Sequence, residues 1–161
     1  MNVREVSRGA LTLVGIPVMA PFQELGQRVP SAWRELLEQV KDLPHRVDPE
    51  VFYGVFRDPE PSRDGASALY TYWVTTEVSA LATRPPGLRV LNVPARRYAV
   101  VTCQGGPERI EASYLALDEW SSSKGFRPGP EALGLERYDT RRQRLTPPYE
   151  SFDYDIYKPL E

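Results

Sequence analysis

The chain has 161 residues, 41% hydrophobic and 26% charged, with 20 Lys and Arg set against 22 Asp and Glu for a formal net charge of −2. That length suits a single domain able to bury its own core without covalent staples. The charges are nearly balanced and interspersed, and no basic recognition helix stands out, so neither nucleic acid nor an anionic membrane is expected as a partner.

The opening run, MNVREVSRGALTLVGIPVMAP, is apolar only in part and is interrupted by Pro17. It is too short to cross a bilayer and lacks a signal-peptide cleavage pattern, so a cytoplasmic location is expected. Within it, Leu11 to Val18 predicts a strand. Trp33, Leu36, Leu37, Val40 and Leu43 then recur at the spacing of one helical face, with Ser31 as N-cap and Pro44 as the stop. His45, the sole histidine, follows in a turn, which leaves any Ser-His-Asp or Cys-His mechanism without a convincing base. EVFYGVFRDP and ALYTYWVTTEVSAL predict two strands rich in β-branched and aromatic residues, joined by the turn formers of PEPSRDGAS. RPPGLRVLNVP holds a short strand, and RRYAVVTCQG another. Cys103, the sole cysteine, reads as a buried strand residue; it rules out an internal disulfide and, with one histidine, a structural zinc site.

GPERIEASYLALDEWSSSKGF is the clearest helix. Pro107 fits its first turn, Glu108 and Glu111 favour its N-terminal end, and Lys124-Gly125 mark its end. Its apolar stripe is Ile110, Tyr114, Leu117 and Trp120. ALGLERYDT and SFDYDIYKPL close the chain as strands, with RRQRLTPPYE between them as a solvated basic loop. No G-x-S-x-G, phosphate-cradling loop or dinucleotide fingerprint is present, so no cofactor and no metal are expected.

The order strand, helix, strand, strand is thus written twice, in half-repeats of about 9–80 and 95–161. Gly54-Val55-Phe56-Arg57 in the first half is echoed by Gly134-Leu135-Glu136-Arg137 in the second. Such a duplication predicts an α+β architecture: one bent antiparallel sheet, two helices, a pseudo-two-fold axis and a cleft between the halves. Phe56 and Glu136 would hold related positions across that cleft.

VPARRYAVVTCQGGPERI, YLALDEW, GLERYD and YDIYKPL resemble the GyrI-like effector-binding domain, found in gyrase-inhibitor-like proteins and at the C-terminus of AraC-type and MerR-type multidrug-sensing regulators. VGIPV, the helix at 31–43 and FYGVF match more loosely, so the resemblance runs over residues 1–161 as one domain. Arg96 departs from it, standing where the family often has glycine. No DNA-binding domain precedes the match, which makes the chain look like a stand-alone version. The resemblance implies a fold of two strand–helix–strand–strand units and binding of aromatic, often cationic, drug-like molecules. It places the family's anchor glutamate at Glu136.

Residue chemistry adds detail. Gly134, Glu136 and Tyr138 share one face of their strand, and the glycine leaves space above the sheet. A carboxylate in an apolar cleft is unfavourable unless paired, and a cationic ligand supplies the charge. Phe56, Tyr72, Trp73, Trp120, Tyr138 and Tyr157 are candidates for aromatic walls. Each has a plainer reading. Glu136 could face water or pair with Arg137 or another arginine, and Trp120 could be core. Tyr157 could be cross-strand packing, and only one of Tyr72 and Trp73 can face the cleft. The favoured expectation is a small-molecule-binding protein that senses or sequesters its ligand. One alternative is a hydrolase of reactive cyclopropane-containing natural products, with Glu136 joined by Glu77 or Asp155. Another is a protein-binding module such as a gyrase inhibitor.

Overall fold

The computed structural model describes residues 1–57, 69–80 and 86–161; the turn segment expected at 59–67 lies outside them. In chain order the elements are β1 Arg4–Arg8, β2 Leu11–Pro21, α1 Phe22–Gln39, β3 Val51–Phe56, β4 Leu69–Glu77, β5 Arg89–Val93, β6 Arg96–Gly105, α2 Glu108–Ser123, β7 Gly134–Asp139 and β8 Phe152–Pro159. All strands join one antiparallel sheet in the order β1-β6-β8-β7-β3-β4-β2-β5. That order is unchanged when β1–β4 are exchanged with β5–β8, so the sheet has the expected pseudo-two-fold. The axis runs between β3 and β7, where Val55 faces Leu135.

Two features differ from the sequence reading. β1 was not foreseen, and each half lends its opening strand to the other: β1 pairs with β6, and β5, the short strand read in RPPGLRVLNVP, with β2. REVSR was not legible as a strand because it is an outer strand, and outer strands favour charge over apolar alternation. Helix α1 begins at Phe22 rather than near Ser31, with Pro21 at the N-cap position and Pro30 inside it. Gly26 and Pro30 read locally as breakers. Docking overrides them, because Leu25 and Val29 pack on the same cluster as Trp33 and Leu36.

Both helices lie on one face of the sheet. Trp33 and Leu36 of α1, with Val40 just past its end, pack on Val14, Val18 and Val74. Leu117 of α2 packs on Val101, Cys103 and Ile156. On α1 the expected stripe is buried at Trp33 and Leu36, whereas on α2 Leu117 is buried and Ile110, Tyr114 and Trp120 are half-buried against the same cluster. The opposite face gathers Leu13, Tyr53, Val100 and Leu135, and side chains from the two outermost strands, Val6 and Leu91, reach this same cluster. The sheet therefore curls so that its edges approach each other. Among the described residues, no helix is long and apolar enough to cross a membrane.

Gly15 shows how tightly these strands run. It pairs with Thr75 on one side and Arg89 on the other, and a Cβ there would collide with the Val74 carbonyl oxygen, which is backbone and cannot yield. Gly15→Ala is expected to destabilise the protein by about 1–3 kcal/mol, measurable as a lowered denaturation midpoint in urea.

Candidate functional site

On β7, side chains alternate so that Gly134, Glu136 and Tyr138 face the helices while Leu135 faces the cluster on the other side. Glu136 is only 7% exposed. Three tyrosines supply its hydrogen bonds. The Tyr72 hydroxyl donates to Oε1 at 2.6 Å, the Tyr138 hydroxyl to Oε1 at 3.0 Å, and the Tyr114 hydroxyl to Oε2 at 2.6 Å. Each is a bond to a charged acceptor, roughly 1.5–3 kcal/mol where buried. Among the described residues no Lys or Arg forms an ion pair with Glu136.

The backbone explains how three strands and a helix converge on one carboxylate. Glu136 of β7 stands opposite Gly54 of β3, and Tyr72 comes from β4, one strand further on. Its hydroxyl reaches Glu136 by lying over Gly54, where any Cβ would overlap it. Glycine is required here by close approach. The space over Gly134, expected to be free for a ligand, is filled instead by the Phe56 ring. Phe56 in turn packs edge-on against Tyr114, centroids 5.9 Å apart, and so holds that donor in place.

Beside Glu136 lies a cavity of about 470 Å³, within the usual range for small-molecule sites. Leu25, Val29 and Trp33 of α1 form one wall; Ile110 of α2 with Phe152 and Tyr154 of β8 form another. Tyr72, Glu136 and Tyr138 form the floor. Tyr138 is wedged between Trp33, edge-on at 5.8 Å, and Tyr154 at 4.8 Å. The loop 140–151 closes the space with Leu145, Pro147 and Tyr149. That loop is not simply the solvated segment its sequence suggests, since Gln143 and Leu145 are buried.

The structure brings together three of the seven residues expected at the site: Glu136, Tyr138 and Tyr72. Phe56 stands one layer away, behind Tyr114. Trp120 is half-buried against the cluster beneath α2, stacked on Phe126 with Lys124 over its ring, and does not line the cavity. Trp73 and Tyr157 project from the opposite face, in or against the other cluster, because each is one residue out of phase with the cavity. Glu77 and Asp155 share that far face. Glu77 lies near Arg8, and Asp155 accepts from the Thr102 hydroxyl at 2.6 Å. Glu136 is the one carboxylate lining the cavity among the described residues. Tyr114 and Trp33 were read only as helix stripe. A tyrosine on a buried stripe needs a partner for its hydroxyl, and that signal could have found Tyr114.

The chain matches the family model of the GyrI-like small-molecule-binding domain over residues 1–161. It belongs to the GyrI-like family. The transcriptional regulator BrlR of Pseudomonas aeruginosa is 29% identical over 164 residues, which cover 99% of this chain and 56% of BrlR. The chain thus spans a little over half the length of that relative. A solved structure of SAV2435 bound to tetraphenylphosphonium matches with a TM-score of 0.69 at 18% identity, covering 100% of this chain and 94% of that one. The EcmrR C-terminal domain matches with a TM-score of 0.71 at 11% identity, covering 99% and 97%. At such identities these structures show a shared GyrI-like fold.

In this GyrI-like cavity, burial first, and the charge of Glu136 next, raise the hydroxyls of Tyr72, Tyr114 and Tyr138 well above the ordinary tyrosine value. They stay protonated donors at neutral pH. Above pH about 10 the unfolded chain releases such protons while the folded protein keeps them, so stability falls as pH rises. Urea unfolding at pH 7, 10 and 11 should register that decline. Tyr72→Phe should be about 1–3 kcal/mol less stable at pH 7, yet lose less between pH 10 and 11. An alkaline loss identical to wild type would mean that Tyr72 ionises freely in the folded protein.

Proposed function

We propose that this chain acts as one domain, 1–161, that captures cationic or amphipathic aromatic molecules and thereby senses or sequesters them, with Glu136 as the anchor. The observation that carries the reading is a carboxylate buried against an aromatic cavity and held by three neutral donors. Hydroxyl donors fix the position of the charge and leave it uncancelled. An incoming cation at 4–5 Å gains about 3–4 kcal/mol at an effective dielectric of about 20, and the faces of Trp33, Tyr138 and Tyr154 add cation–π and stacking contacts of about 0.5–2 kcal/mol each. One charge and flat walls set no strict outline, which favours breadth over selectivity. The tetraphenylphosphonium held by SAV2435, a lipophilic aromatic cation on the same fold, supports the reading. Membership in a family of small-molecule-binding domains supports it too.

Hydrolysis would require a second acid or base beside Glu136. Glu77 and Asp155 are turned to the other face of the sheet, so nothing in the cavity favours that route over binding.

Tetraphenylphosphonium is the probe of choice. At about 100 times its dissociation constant it should raise the melting temperature by about 5–10 °C. Glu136→Gln, which keeps the shape and can still accept from Tyr72 and Tyr138 through its carbonyl oxygen while the Tyr114 hydroxyl turns to accept from its amide, should fold and lose most of that shift, with affinity falling at least about ten-fold. A full shift in the variant would remove Glu136 from the role of anchor.

A further inference from the structure

The cavity over Glu136 carries a second charge, and we propose that it selects dipolar ligands: molecules whose cationic group meets Glu136 and whose carboxylate meets Arg144 at the mouth. This rests on the reading of Glu136 as a cation anchor and assigns the other end of the ligand.

Three arginines stand close together in the loop 140–151. Arg141 is paired with Asp139 at 2.8 Å and Arg142 with Asp153 at 2.5 Å. Arg144 lines the cavity, and its side chain has only a long bond, from Nε to the Thr146 carbonyl at 3.3 Å. Its two terminal nitrogens have no hydrogen-bond or ion-pair partner among the described residues. The backbone beneath it is well tied. Buried Gln143 donates from Nε2 to the Arg144 carbonyl at 3.0 Å and accepts from the Asp153 amide at 2.6 Å, while Leu145 is anchored in the core.

Tyr149, a lining residue, has its hydroxyl raised by burial and pulled back by the charges of Arg34 and Arg144. The cavity is therefore negative at its floor and positive at its rim. A plain lipophilic cation satisfies the floor and is repelled at the rim. A ligand with a carboxylate opposite its cation satisfies both, and the planar guanidinium fork matches a carboxylate through two parallel bonds.

A matched pair of probes isolates the rim: (4-carboxyphenyl)triphenylphosphonium and its methyl ester, which differ in the anionic group alone. By isothermal titration at neutral pH and low salt, the acid should bind about five-fold tighter than the ester, the size expected of a partly solvated ion pair. Arg144→Gln should weaken the acid and tighten the ester, shifts of opposite sign that loss of loop packing would not produce. Arg144→Lys, which keeps the charge without the fork, should retain part of the preference. An ester that binds as well as the acid, or shifts of the same sign in Arg144→Gln, overturns the proposal. Failure of both probes to bind, or indifference of both to Glu136→Gln, sinks the anchor and the dipolar proposal together.

Discussion

The site is organised around one carboxylate that is kept out of water and given no cation by the described residues. A buried ionised group must be compensated, and here three phenolic hydroxyls do so. Had an arginine done it, the charge would be cancelled and no ligand could profit from it. Tyrosine also places its apolar ring where it can form a wall while its hydroxyl points at Glu136. The same residues that hold the acid thus shape the space beside it.

The curled sheet and its internal symmetry make this possible. The pseudo-two-fold axis passes between Val55 and Leu135, which sets each half's glycine against the other half's large side chain: Gly54 faces Glu136, and Gly134 faces Phe56. One glycine lets Tyr72 reach across a strand, and the other seats Phe56, which props Tyr114. The duplication was put to unequal use. One half supplies the acid, and the other supplies a ring at the related position.

Much of the fold was legible. Alternating strands, the helical stripes of Trp33-Leu36-Val40 and Ile110-Tyr114-Leu117, and the echo of GVFR in GLER led to two units, one sheet and a pseudo-two-fold. The misreadings came where long-range packing outweighs local preference. The start of α1 was hidden by Gly26 and Pro30, and β1 was hidden by the polarity of an outer strand. At the site, residue chemistry and family resemblance together singled out Glu136, and strand alternation put Tyr138 on its face.

What the sequence determined by itself was face and type: which residues alternate, which recur at helical spacing, and which could bear charge. Only the tertiary structure decided which of these meet. It chose Tyr72 over Trp73, and it turned Tyr157, Glu77 and Asp155 away from the cavity. It also recruited Tyr114, Trp33 and the loop around Leu145. Those choices depend on strand register and on how helices dock across the sheet, and both arise from contacts between residues far apart in the chain. Periodicity is a property of neighbours along the chain; a cavity is made by residues that become neighbours through folding.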